Sequence, residues 1–235
     1  MQNILIQKKE IYAYTFLTSL VICGLASSLI TAPKVVHIGI NFPFSNIVFS
    51  ILTYPIVDCI CELWGKEAAR YTVLLGLASQ ALIACIIQLS INSPYPSFWQ
   101  LQAEYKSILS TGISVIVASI IAFFISQIID ITIYQKIKEL THGKLLWLRS
   151  NLSTYLGQAV DSIIFVNIVF LNSNQKLNIL FGSILIKIIL SFLMTPIVYL
   201  IIYILDKYLD SNTLAFKVRN GSLLPQFIEK TLLKS

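Results

Sequence analysis

Apolar residues along this chain gather in six long blocks separated by short polar segments. A helix needs roughly 20 consecutive apolar residues to cross a hydrocarbon core of about 30 Å. Blocks of that size run over about Ile11 to Thr31, Phe44 to Cys61, Tyr71 to Ser90, Ile108 to Ile129, Leu152 to Leu171 and Leu177 to Leu205. The pattern predicts an all-α, polytopic membrane protein: a six-helix transmembrane domain over residues 1–208 and a basic cytoplasmic tail over 209–235. Between the third and fourth blocks, Asn92-Ser-Pro-Tyr-Pro-Ser-Phe-Trp99 reads as an extended interfacial loop. Its two prolines oppose helix, and Tyr95 and Trp99 suit headgroup depth.

Composition sharpens this picture. The chain is 56% hydrophobic and 12% charged, with a mean hydropathy of +0.78, against about 25% charged residues in a soluble domain. A net charge of +6 raises nucleic acid as a partner, but its distribution argues for a bilayer instead. Lys8, Lys9, Lys66, Arg70, Lys136, Lys138, Lys144, Arg149, Lys207, Lys217, Arg219, Lys230 and Lys234 all fall on one side of the six-span threading. Lys34, Lys106 and Lys176 fall on the other, and Lys187 lies inside the sixth block. Lysine and arginine are retained on the cytoplasmic side, so both termini are expected there.

Several function classes are set aside by what the sequence lacks. No G-x-x-x-x-G-K-[ST] run is present, so ATP hydrolysis by that route is excluded and any energising partner is separate. His37 and His142 fall in loops on opposite sides and cannot form one metal or acid–base site. No cofactor and no catalytic group is expected. Cys23, Cys59, Cys61 and Cys85 have no C-x-x-C pairing and read as small core residues. Residues Met1 to Lys9 show no cleavable signal, so the first span is expected to act as its own insertion signal. In the tail, Leu223, Leu224, Phe227, Ile228, Leu232 and Leu233 make an apolar strip that suits either a helix on anionic lipid or a loosely ordered basic segment.

Function is most legible at ionisable groups within the spans, since each costs roughly 2.5–3.5 kcal/mol at the bilayer centre and must face protein or water. Asp161 in the fifth span and Lys187 in the sixth are expected at similar depth. They form either an ion pair that pins two helices or part of a binding site. Gln158 lies one turn from Asp161 on the same face, and Gln127-Ile-Ile-Asp130 in the fourth span repeats the amide-then-carboxylate pattern of Gln158-Ala-Val-Asp161. Asp130 falls near the cytoplasmic boundary, where pairing with Lys136 or Lys138 competes with a binding role. In the second span Asp58 and Glu62 share a face below Pro55. Glu62 is expected to pair with Lys66 at i+4, and Arg70 and Arg149 to act as snorkelling topology anchors. Carboxylates, amides and one lysine enclosed by Tyr and Phe suit a small, flat solute rich in hydrogen-bond donors.

The segment Tyr54 to Arg70 with Asp58 and Gly65, Gln127-Ile-Ile-Asp130, the run Arg149 to Phe165 with Gln158 and Asp161, and Lys187 with Pro196 together resemble the queuosine precursor transporter family over about residues 40–208. The resemblance implies a six-helix importer of the bacterial inner membrane that salvages 7-deazaguanine compounds such as preQ0, preQ1 or queuine for tRNA modification. It also implies a fold like the substrate-binding subunits of vitamin importers. Asp58, Gln127, Asp130, Gln158, Asp161 and Lys187 are the candidate substrate contacts, with no metal among them. A vitamin-binding subunit that needs a separate ATPase and a non-transporting scaffold are the rival readings.

Overall fold

The computed structural model describes residues 2–109, 113–142, 145–170 and 174–209, with side chains described from Lys8 in the first segment and from Val117 in the second. The tail beyond Leu209, including its apolar strip, lies outside the described residues. Among the described residues six helices are long and apolar enough to cross a membrane: Lys8–Thr31, Ser45–Trp64, Lys66–Asn92, Val117–Leu140, Leu146–Val169 and Lys176–Tyr208. All six predicted spans are therefore present.

In chain order the elements are α1 (Gln2–Thr31), β1 (Val35–His37), β2 (Asn41–Pro43), α2 (Ser45–Val48), a π-helical turn (Phe49–Thr53), α3 (Tyr54–Trp64), α4 (Lys66–Asn92), α5 (Gln102–Leu109), α6 (Ile113–Leu140), α7 (Leu146–Val169) and α8 (Lys176–Tyr208). Four of these were not expected. The antiparallel hairpin of β1 and β2 occupies the first inter-span loop, and α5 follows the Pro-rich loop as a separate, unburied helix. The π-helical turn widens the second span between α2 and α3; such turns recur at functional positions in helices.

Polarity is arranged inside out. Long apolar side chains such as Leu82, Leu89, Phe181, Phe192, Leu200 and Tyr203 face outwards, while Asp58, Gln80, Gln127, Asp130, Gln158, Asp161 and Lys187 are buried. Lipid solvates the former at no cost, whereas the latter need protein partners. The second span is the central helix, with Tyr54, Val57, Cys59 and Ile60 fully enclosed. Cys59 and Cys61 are core residues as expected, but Cys23 and Cys85 are exposed and face outwards with the apolar rim.

The hairpin closes one end of the bundle. Phe42 is wholly buried, and the Phe44 N–H donates to the Lys34 carbonyl at 2.8 Å, which holds the start of α2 below the hairpin. The Asn41 backbone rests directly on Gly182 of α8, where a Cβ would collide with the Asn41 carbonyl oxygen. Gly182→Ala is expected to destabilise the protein by about 1–3 kcal/mol through overpacking, seen as a lower unfolding temperature in detergent. An unchanged midpoint would mean that the hairpin yields freely.

Candidate functional site

The buried face of α7 is polar for most of its length. Arg149, Ser150, Ser153, Thr154, Gly157, Gln158, Asp161 and Ser162 all point inwards, a track of about 20 Å at 1.5 Å per residue. Small and hydroxylated residues at this spacing also serve close helix packing in membranes, and one position does so here. A Cβ on Gly157 would lie 3.0 Å from the Asp130 Cβ and 3.1 Å from the Ser126 carbonyl, so α6 and α7 meet at this point with the Asp130 side chain against the glycine. The remaining groups exceed what packing requires, because each must be satisfied away from water.

Near the hairpin end, Lys187 Nζ donates to Asp161 Oδ2 at 2.6 Å and to Ser162 Oγ at 2.9 Å. The two groups expected at similar depth thus meet as an ion pair, one of the two alternatives the sequence left open, and the pair is buried, with Lys187 1% exposed. Asp161 also lines a cavity of about 20 Å³ together with Ser28, Asn46, Phe49, Gln80 and Ser119. Five of the six spans contribute to that wall, and α8 reaches it through the ion pair. A cavity this size has room for about one water molecule, so the conformation is closed around its polar lining.

One turn further along α7, Gln158 Oε1 accepts from Ser191 Oγ at 3.2 Å, while Gln158 Nε2 has no partner. Both side-chain polar atoms of Gln127 and both carboxyl oxygens of Asp130 are also buried without a hydrogen bond. The neighbouring Ser153 hydroxyl donates instead to the Ser150 carbonyl at 3.3 Å. Asp58 is better served: Ser150 Oγ donates to its Oδ2 at 2.5 Å and Thr154 Oγ1 at 3.3 Å. The two amide–carboxylate pairs therefore both face the interior along the α6–α7 seam, with Asp58 below them on the central helix.

Three local expectations need correction. Asp130 is not a helix-end residue: α6 continues to Leu140, because Ile131 and Tyr134 are buried and carry the helix onward against the core. Asp130 is 1% exposed and forms no ion pair with Lys136 or Lys138. Glu62 does not choose Lys66; its Oε1 lies 2.8 Å from Arg149 Nη2 and its Oε2 lies 3.1 Å from Lys138 Nζ. Tyr134 adds a hydroxyl donor at 2.9 Å. Arg149 is no snorkelling anchor, since it is 2% exposed and stacks on the Tyr134 ring at 5.6 Å. Arg70 does stay at the periphery, paired with Glu67 at 3.1 Å. The α3, α6 and α7 ends opposite the hairpin are thereby tied together by one carboxylate.

The sequence reading missed Asn46 and Gln80, which line the same cavity as Asp161, and the Ser50 and Thr53 hydroxyls of the π-helical turn, which are fully buried without partners. Gln80 carried a legible signal as an amide in the middle of an apolar block. Asn46 carried none, because its depth depends on the hairpin above it. Among the described residues no group of three or more His, Cys, Asp or Glu side chains is arranged to hold a metal ion.

Comparison with known proteins agrees with this architecture. A curated protein of Bacillus subtilis (strain 168), named "Probable queuosine precursor transporter", is 27% identical over 165 residues, covering 68% of this chain and 72% of that protein. No solved structure matches significantly. A family model described as "Putative vitamin uptake transporter" matches residues 43–201, which takes in the central helix, the polar track of α7 and Lys187. The chain, a multi-pass membrane protein with six apolar helices, belongs to that transporter family.

Proposed function

We propose that the protein imports queuosine precursors, 7-deazaguanine compounds such as queuine, preQ1 or preQ0, across a bacterial inner membrane for tRNA modification. The observation that carries this reading is the polar inner face of α7, which runs from Arg149 to Ser162. It joins the polar-lined cavity beside Asp161 at one end to an ion-pair closure at the other. Lipid-facing helices have no use for such a track, and a solute with several donors and acceptors does.

In this reading Asp161, Gln158 and Lys187 contact substrate near the hairpin end, which faces outwards. Gln127, Asp130 and Asp58 receive it along the α6–α7 seam. The termini are cytoplasmic, in keeping with the lysine and arginine bias. Unpartnered atoms on Gln127, Asp130 and Gln158 support the assignment, because a buried polar group without a partner costs about 1–3 kcal/mol and is retained where a ligand uses it. The relative's printed name supplies the substrate class.

The test is restoration of queuosine in the tRNA of a host that lacks both its synthesis and its own importer, supplied in turn with preQ0, preQ1 and queuine. Expression of this chain is expected to restore the modification with at least one of them. Asp161→Asn is expected to abolish restoration while the protein still inserts at normal levels. Failure with all three precursors, at normal membrane expression, removes this function.

A further inference from the structure

The cavity beside Asp161 has walls from α1, α2, α4, α6 and α7, and two of its lining groups have nothing to do in the closed protein. Asn46 is 6% exposed and Gln80 is 1% exposed. Asn46 Nδ2 is a donor without an acceptor, and Gln80 Oε1 is an acceptor without a donor. Two other polar groups of the wall are engaged: Ser28 Oγ donates to the Leu25 carbonyl at 2.7 Å, and Asp161 holds Lys187 at 2.6 Å. Neither amide is explained by packing. An apolar residue of the same shape would fit such a position without stranding a polar atom.

Their placement is also specific. Asn46 is set by the hairpin, through the Phe44-to-Lys34 backbone bond, at the mouth of the second span. Gln80 reaches the same cavity from the middle of α4, and Phe49, at the start of the π-helical turn, supplies an aromatic wall between α2 and the core. One free donor and one free acceptor beside an aromatic ring match a planar ring edge that carries an acceptor next to a donor. A cyclic lactam, with its C=O beside its N–H, has that edge. An aminopyrimidine edge, with an amino group beside an unprotonated ring nitrogen, presents the reverse order to the amides as they stand when the ring is held the same way up, which contacts from Asp161 and Lys187 to its remaining polar groups would fix.

We infer that Asn46 and Gln80 are the specificity-determining pair of the site: Asn46 donates to the lactam carbonyl of a bicyclic heterocycle and Gln80 accepts from its ring N–H. The pair selects lactam rings over aminopyrimidine rings. This inference rests on the proposed uptake of 7-deazaguanines and names the edge by which they are read. The closed cavity holds about one water, so the hairpin end has to part to admit the ring; Asp161, on the same wall as the two amides, and its partner Lys187 then meet the ring's remaining polar groups.

The experiment is equilibrium binding of labelled queuine to the purified full-length chain in lipid nanodiscs, with unlabelled 7-deazaguanine, 7-deazahypoxanthine and 7-deazaadenine as competitors. Wild type is expected to bind queuine and to prefer the two lactams over 7-deazaadenine by about 10- to 100-fold, the cost of leaving one or two buried groups unpaired. Asn46→Leu and Gln80→Leu, which strand no polar atom, are each expected to weaken queuine binding about 10-fold or more and to flatten the preference. The competitor series on wild type needs no variant and decides the case even where a variant folds poorly. Queuine binding with no lactam preference, or with both variants binding as wild type does, overturns the pair's role and leaves the uptake reading standing. No binding of any 7-deazapurine overturns both.

Discussion

Lys187→Met is expected to leave little folded protein, and adding Asp161→Asn to it is expected to restore folding without restoring uptake. Lys187 Nζ sits 2.6 Å from Asp161 Oδ2 and 2.9 Å from Ser162 Oγ, wholly enclosed. Removing the cation strands a carboxylate in the interior, which costs about 3–5 kcal/mol. That is a large share of a total stability of about 5–15 kcal/mol. The double variant strands no charge, and replacement of a buried pair by neutral groups is often neutral or stabilising. Yield of monodisperse protein and unfolding temperature in detergent report the folding arm; queuosine restoration in the deficient host reports uptake. A double variant that folds and transports normally would reduce the pair to a pin between α7 and α8.

The sequence made that pair legible because bilayer geometry is nearly one-dimensional. Counting residues from each helix end gives a depth, and two opposite charges at one depth in neighbouring helices have few alternatives to each other. The six spans were legible for a similar reason: twenty apolar residues in a row have one stable place. Asp130 shows where the argument failed. An apolar block was taken to end where charges began, at Ile129, yet α6 runs on to Leu140 because Ile131 and Tyr134 still bury one face. The bilayer edge and the helix end are different boundaries, and hydropathy reads only the first.

Glu62 and Arg149 failed for a different reason. Helical spacing offers Glu62 the i+4 partner Lys66, and nothing local reveals that two cations from α6 and α7 converge on it across three helices. Tertiary partners of this kind are outside the reach of periodicity. The hairpin and the π-helical turn were illegible as well: three-residue strands carry no alternation to count, and a one-residue widening of a helix leaves no mark on an apolar block. Those two elements set Asn46 and Phe49, and of the residues that line the cavity Asp161 alone was among the candidate contacts.

Glu62→Gln should open the end opposite the hairpin, and the chain carries its own reporters of that event. Glu62 joins Arg149 at 2.8 Å, Lys138 at 3.1 Å and the Tyr134 hydroxyl at 2.9 Å; the amide keeps the shape and discards the charge that holds α3 against α6 and α7. Arg149, 2% exposed, then lacks its carboxylate and gains from moving towards water. Cys61, one residue before Glu62 and 1% exposed, and Cys59, 0% exposed, lie on the helix that this closure holds. With the exposed Cys23 and Cys85 replaced by serine, N-ethylmaleimide is expected to label the wild-type background slowly. Labelling of Cys61 in the Glu62→Gln variant should be at least about tenfold faster, since a loss of about 1.4 kcal/mol from the closed state multiplies the open population tenfold. In the proposed uptake cycle this closure breaks once per turnover, so the same variant should lose the barrier on this side while retaining the Asp161 chamber, and queuine binding in nanodiscs should weaken much less than labelling accelerates. Equal labelling rates with and without the Glu62 charge would show that helix packing alone, rather than this carboxylate, keeps the end shut.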